Sequence, residues 1–219
     1  MWKIVYVNVI IFGAPGAGKG TQAQIISKKY NLFKLSTGDL LRDEIKKNTP
    51  IGLKIKKNIE KGGFASDDIV NEILKKIVTN SYYKNRIIFD GYPRTINQAK
   101  SLEIILNSDN QSINFIFSLN VSRDVVEKRI LGRLVCEKCN KNFNEIFNKD
   151  EIEKHECGNK YLSKRKDDNS ESIVIRYDEY IQKTKPVLDF YSSRSYFYEI
   201  DGTQQIQVIT DKIDQILGL

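Results

Sequence analysis

Three groups of residues in this 219-residue chain have types and spacings that could do chemistry. The first is Gly13-Ala14-Pro15-Gly16-Ala17-Gly18-Lys19-Gly20-Thr21, with the Gly-x-x-x-x-Gly-Lys spacing of a phosphate-binding loop. Its glycines let backbone N–H groups converge on phosphate oxygens, a following helix N-terminus adds a favourable dipole, and Lys19 reaches the terminal phosphates as a point charge. Gly20 stands where Ser or Thr usually follows the lysine, with Thr21 one place later, so no hydroxyl is expected on Mg²⁺ from that position. The second group is Arg86-Ile87-Ile88-Phe89-Asp90, an apolar run ending in an acid. If this strand neighbours the first, Asp90 lies beside the phosphate loop and can hold Mg²⁺ through its waters, since that ion dehydrates reluctantly. The third is Cys136-Glu137-Lys138-Cys139, with Cys157 at close to a zinc-ribbon separation.

Lys154 and Lys160 flank Cys157 at three residues on either side, where a second Cys-x-x-Cys pair would need its other cysteine. His155 is therefore the candidate fourth ligand of a tetrahedral Cys₃His set. Such a set leaves no open position, so its zinc would staple a segment rather than react. A surface histidine and a spare thiol are the alternative.

The elements that must position these groups follow from hydrophobic pattern. Val7–Phe12, Ile87–Asp90 and Ile113–Val121 are continuous apolar runs suited to parallel strands covered on both faces, with Phe197–Asp201 weaker and Phe33–Ser36 short. Helical patterns lie between them at Lys19–Tyr30, Thr95–Asn107, Arg123–Leu134, Ser172–Ser193 and Gln205–Leu217. The alternation predicts right-handed crossovers and an α/β, doubly wound parallel sheet, which binds ligands at its strands' carboxyl ends. Thr37–Thr79 holds helical patterns only, and Leu134–Lys166 holds all the cysteines and the histidine; both read as insertions on that edge. Arg129 and Arg133, four apart on one helical stretch, are expected to share a face and converge on one anion, a task suited to the planar guanidinium fork. Arg86, Arg123 and Arg194 read as surface residues.

Composition sets the frame. Hydrophobic residues at 40% and charged residues at 29% rule out disorder, and at about one domain per ~150 residues the length suits one core domain with large insertions. Thirty-five Lys and Arg against 28 Asp and Glu leave +7, which favours anionic partners without naming them. Three cysteines, an odd number, argue for thiols or a metal rather than a disulfide framework, and so for a reducing compartment. The apolar opening Val5–Phe12 is too short to span a bilayer and runs directly into Gly13, so a cytoplasmic protein is expected.

Gly13–Thr21, Ser36-Thr37-Gly38-Asp39, Asp90-Gly91-Tyr92-Pro93-Arg94-Thr95 with Gln98, Gly132-Arg133 and Arg165-Lys166-Asp167-Asp168 follow one another along nearly the whole chain. In this order they resemble the motifs of the adenylate kinases, of the long-lid bacterial type. The resemblance implies a P-loop nucleoside monophosphate kinase fold with a core of residues 1–35, 67–133 and 167–219, a mobile AMP-binding insertion at 36–66 and a mobile lid at 134–166. It implies transfer of the terminal phosphoryl group of MgATP to AMP, giving two ADP. Lys19, Asp90, Arg94, Arg133, Arg165 and Arg176 match catalytic positions. Gly13, Ala14, Gly16, Ala17, Gly18, Lys19, Gly20, Thr21, Arg129, Arg133 and Gln204 match ATP-binding ones. Thr37, Gly38, Arg42, Phe64, Ala65, Gly91, Arg94, Gln98, Arg165 and Arg176 match the AMP site.

Gln98 carries both an amide donor and an acceptor for two edge atoms of adenine, and Thr37 is the family's mark of AMP over pyrimidine monophosphates, although Ser36–Asp39 alone reads equally as a helix cap. Tyr92 stands where many relatives have Phe. No general base stands out, and none is needed for an acceptor phosphate already largely ionised at neutral pH. Expected partners are ATP, AMP and ADP, without nucleic acid or membrane, on a monomer. A kinase for another monophosphate, or one using GTP, is the alternative within the class. A zinc-ribbon nucleic-acid binder would need neither Asp90 nor the arginines, and shows no basic stripe interleaved with aromatics.

Overall fold

The computed structural model describes residues 6–218; residues 1–5 and Leu219, which the expected core includes, lie outside the described residues. Five parallel strands, β1 (Val9–Gly13), β2 (Phe33–Ser36), β3 (Ile87–Asp90), β4 (Phe115–Asn120) and β8 (Phe197–Asp201), form a sheet in the order β2-β3-β1-β4-β8. Alternate side chains explain why their sequences read as unbroken apolar runs. Ile10, Phe12, Leu35 and Phe89 enter one core with Leu74, Leu102 and Val187, while Val9, Ile11, Ile88 and Phe117 enter the other. That second core packs on α1 (Lys19–Tyr30) and α10 (Ile206–Leu217).

Helices α2 (Thr37–Lys46), α3 (Pro50–Glu60) and α4 (Asp67–Val78) fill the stretch expected to lack strands. Ser36 caps α2 by accepting from the Asp39 N–H at 3.3 Å, and Thr49 caps α3 by accepting from the Gly52 N–H at 3.0 Å, with Pro50 as its first residue. α5 (Ile96–Ser108) follows β3 and is capped by Thr95, which accepts from the Gln98 N–H at 3.1 Å.

Two helix expectations are corrected. α6 (Arg123–Leu131) stops at Gly132, and the chain turns into β5 (Arg133–Cys136); glycine as a stop signal outweighs the apolar spacing that seemed to extend it to Leu134. Arg129 and Arg133 therefore do not share a helix face. The stretch expected as one helix at Ser172–Ser193 begins at Ser170, under an Asn169 cap, as α8 (Ser170–Glu179). It then passes through a π-helical turn, Tyr180–Thr184, into α9 (Lys185–Tyr191), where Pro186, lacking an N–H, sits in the first turn and so breaks no interior hydrogen bond.

Between α6 and α8 lies a second, antiparallel sheet in the order β6-β5-β7, of β5, β6 (Asn142–Asn144) and β7 (Leu162–Ser163), with the short α7 (Lys149–Glu153). The β5–β6 turn carries Cys139 and closes with Asn140 donating to the Cys136 carbonyl at 2.9 Å. Among the described residues no helix is long and apolar enough to cross a membrane.

Candidate active site and metal centre

All five core strands end at one edge, and the phosphate loop leaves β1 there. Gly16 and Gly18, at φ +77° and +98°, give the loop a backbone path that L side chains rarely adopt. Lys19 Nζ donates to the Gly13 and Ala14 carbonyls, both at 2.8 Å. Burial pulls its pKa from an ordinary 10.5 down to about 7; Asp90 opposes the shift and Arg94, Arg176 and Arg133 add to it. β3 is the neighbour of β1, with Ile11 opposite Asp90, so the condition for Asp90 to stand beside the loop is met. A Cβ on Gly20 would lie 3.2 Å from Asp90 Oδ2, a tight contact that a side chain there could make only if the carboxylate shifted by a few tenths of an ångström. Lys34 Nζ, 3.7 Å from Asp90 Oδ2, is its ion-pair partner.

Thr37, Gly38, Arg42, Phe64, Ala65, Gly91, Arg94, Gln98 and Arg176 line one cavity, with Lys19 and Gly13 on its wall. Thr37 is the first residue of α2 and its Oγ1 donates to the Gly91 carbonyl at 2.7 Å; the cap itself is Ser36. Arg94 Nε donates to the same carbonyl at 2.7 Å, and its guanidinium lies 4.7 Å from the Phe64 ring centroid. Burial, with Arg176 nearby, pulls Arg94 down to about 10, which leaves it charged at neutral pH. Gln98 is buried with its amide engaged: Oε1 accepts from the Arg94 N–H and Nε2 donates to Asp67, each at 2.7 Å. An amide has a second N–H and a second lone pair, which are what a base edge could use. Tyr92, buried, donates to Asn71 Oδ1 at 2.7 Å, a use for the hydroxyl that Phe would lack.

The arginines are held by acids that the sequence reading quoted in a motif but gave no role. Asp168 accepts from Arg133 Nε at 2.7 Å and also pairs with Arg133 Nη2; Arg176 Nη1 lies 3.0 Å from Asp168 and 2.9 Å from Asp167. Arg165 donates to Asn142 Oδ1 at 3.2 Å and lies 3.7 Å from Asp39, which Arg42 contacts at 2.5 Å. Arg165 lines an adjoining cavity rather than the main one. Arg129, from α6, donates to the Gly202 carbonyl at 2.8 Å, and Gln204 Nε2 donates to Asp201 at 2.8 Å, so this pair stands by the β8 end of the edge. Asn142 and Asp67 had no sequence signal, because an isolated Asn or Asp is usually a turn or cap residue.

Cys136, Cys139, His155 and Cys157 converge, with their donor atoms all within 4.8 Å of one another. Cys139 Sγ is 3.8 Å from His155 Nε2. A tetrahedral ion with bonds of about 2.0–2.3 Å spaces its donors by about 3.3–3.8 Å, so three sulfurs and one imidazole fit such an ion after closing by about 1 Å.

A parallel sheet with a phosphate loop at its carboxyl edge, and one cavity lined by Lys19 and by a set of arginines, defines a P-loop phosphotransferase acting on nucleotides. The family model described as Adenylate kinase matches residues 11–196. The chain belongs to the adenylate kinase family. It is similar to adenylate kinases from Pelagibacter ubique, 58% identical over 96% of this chain and 99% of that protein, from Novosphingobium aromaticivorans, 39% over 97% and 99%, and from Listeria monocytogenes, 36% over 97% and 99%. Its reaction is the transfer of the terminal phosphoryl group of ATP to AMP, giving two ADP.

Proposed function

We propose that AMP occupies the cavity between α2 and the β3 end, with Gln98 and Thr37 at its base, Arg42, Arg94 and Arg176 at its phosphate, and Arg165 reaching that phosphate from the adjoining cavity. The triphosphate of ATP lies on Gly13–Thr21 and Lys19, with Arg129 and Gln204 toward its nucleoside end. The observation that carries this reading is the sharing of one cavity wall by Lys19 and the Thr37, Arg94 and Gln98 set, because donor and acceptor phosphates must meet in line.

The transition state of phosphoryl transfer spreads charge over oxygens, so the residues act by positioning and by positive charge. Lys19 would leave the Gly13 and Ala14 carbonyls for the phosphates of ATP, and Arg94, Arg133, Arg165 and Arg176 would surround the group in transit. Asp167 and Asp168 orient the arginines without neutralising the site fully. Asp90 would hold Mg²⁺, whose oxygen preference its carboxylate fits and which supplies charge neutralisation on the phosphates. Cys136, Cys139, His155 and Cys157 would hold Zn²⁺ as a staple of residues 134–166. Residues 36–66 and 134–166 would close over the nucleotides, shielding the transferring group from water.

A coupled assay across AMP, GMP, CMP and UMP with ATP and with GTP tests the nucleotide assignments: ADP formation from ATP and AMP, dependent on Mg²⁺, is expected, and a preference for a pyrimidine acceptor would overturn them.

A further inference from the structure

A second cavity, of about 320 Å³, opens between α2, α3 and residues 165–167. Its rim carries Arg42, Lys46, Lys56, Arg165 and Lys166 against two carboxylates, Glu60 and Asp167, an excess of three positive charges. Most of these groups have partners: Arg42 and Arg165 face Asp39, and Lys166 lies 3.9 Å from Glu60. Lys46 and Lys56, both exposed, have no acidic partner among the described residues. Arg42, Ile59 and Asp167 line both this cavity and the main one. The two spaces therefore adjoin at these residues, and Arg42 belongs to the lining of each.

We propose that the outer cavity is an encounter site for the phosphate dianion of AMP, in which Lys46 and Lys56 gather the phosphate beside Arg42 before it passes into the adjoining main cavity. The inference rests on the assignment of Arg42 to the AMP phosphate. With Asp39 counted against Arg42 and Arg165 the local excess is two positive charges, which attract a dianion within a Debye length, and charges outside a binding site act on association more than on dissociation. No residue of the phosphate loop lines this cavity, so these lysines serve the acceptor and not the donor.

The test is stopped-flow association of a fluorescent N-methylanthraniloyl AMP with the full chain. In Lys46→Glu/Lys56→Glu, association at low ionic strength should slow by at least ~5-fold with dissociation, kcat and KM for ATP unchanged, and the difference should close at about 0.5 M salt. Glu60→Gln, which raises the excess charge, should speed association, an opposite sign that no folding defect imitates. Unchanged association in the double variant, or equal slowing for ATP, would overturn the encounter site. Arg42→Ala separates it from the underlying assignment: an unchanged KM for AMP there would overturn both, whereas a raised KM together with normal association in the lysine variant would overturn the encounter site alone.

Discussion

The two sheets of this molecule are held together by different means. The five-stranded sheet sends alternate side chains into two apolar cores, and β1 and β3 are buried along their whole length. In the three-stranded sheet and its loops, residues 134–166, the buried hydrophobic residues are Cys136 and Phe143. The Phe143 ring meets His155 edge-on at 4.6 Å, so what core there is abuts the cysteine and histidine cluster. Apolar area stabilises the first region, while the second buries little, and in the proposed reading its Cys136, Cys139, His155 and Cys157 set would supply the rest through a metal. The difference suits the reaction. In the proposed reading, groups that hold the nucleotides rest on the five-stranded sheet, whereas residues 134–166, proposed to open and close, would belong at the low-stability end of the molecule.

The sharpest way to break this comparison is to remove one aromatic from each sheet. Phe89→Ala, at a fully buried position on β3, should cost about 3–5 kcal/mol of global stability in urea denaturation. Phe143→Ala should leave the global transition nearly in place and remove hydrogen-exchange protection from β5 to β7 only. Equal global losses would show one cooperative unit and end the distinction.

The next largest effect concerns activity. Arg94 is anchored on the core through the Gly91 carbonyl, and Arg133 opens the small sheet and is anchored by Asp168. Arg94→Ala and Arg133→Ala should each lower kcat by at least ~100-fold with the fold intact, because both are assigned to transition-state charge. A near-normal kcat for Arg133→Ala would confine the chemistry to the core.

Metal removal should act more mildly. Chelation should lower Tm by several degrees and abolish protection in residues 134–166 while low-temperature activity largely persists, since Lys19, Arg94 and Arg176 lie outside the stapled segment. Elemental analysis should give one zinc per chain. A stoichiometry near zero, with Tm unchanged in Cys157→Ser, would leave the cysteines as ordinary thiols.

The same contrast explains what could be read from the sequence. β2, β3 and β8 run over the residues expected for them, and α1 does too, because period and punctuation agree there. The second sheet was invisible: its strands are two to four residues long, and Arg133-Leu134-Val135 continues a helical spacing across Gly132. Its cysteine and histidine cluster was nonetheless legible, since cysteine spacing carries information that hydrophobic pattern does not. In the candidate site, the phosphate loop and Asp90 were readable as local motifs. Asn142 and Asp67 were not, because each contacts a residue distant in sequence, Arg165 and Gln98.

The smallest expected effect reads both regions at once, through the proton on Lys19. Its pKa of about 7 follows from burial, offset by Asp90 and deepened by Arg94 and Arg176 on the core side and by Arg133 at the edge of the small sheet. Because the folded value lies below the unfolded one, the buried charge costs stability in full below about pH 7, and that cost fades as pH rises from 7 toward 10.5, where the folded chain has lost the proton and the unfolded chain still holds it. Triphosphate on the loop supplies negative charge and returns the pKa upward, so ATP binding at pH 8 should take up a fraction of a proton approaching one, and at pH 6 almost none. Calorimetry in buffers of different ionisation enthalpy measures this directly, and Lys19→Met should abolish it. If Arg133 helps to depress Lys19, then Arg133→Ala should raise the free enzyme's value and shrink the uptake at pH 8. An uptake independent of Arg133 would place the whole electrostatic setting of Lys19 within the core.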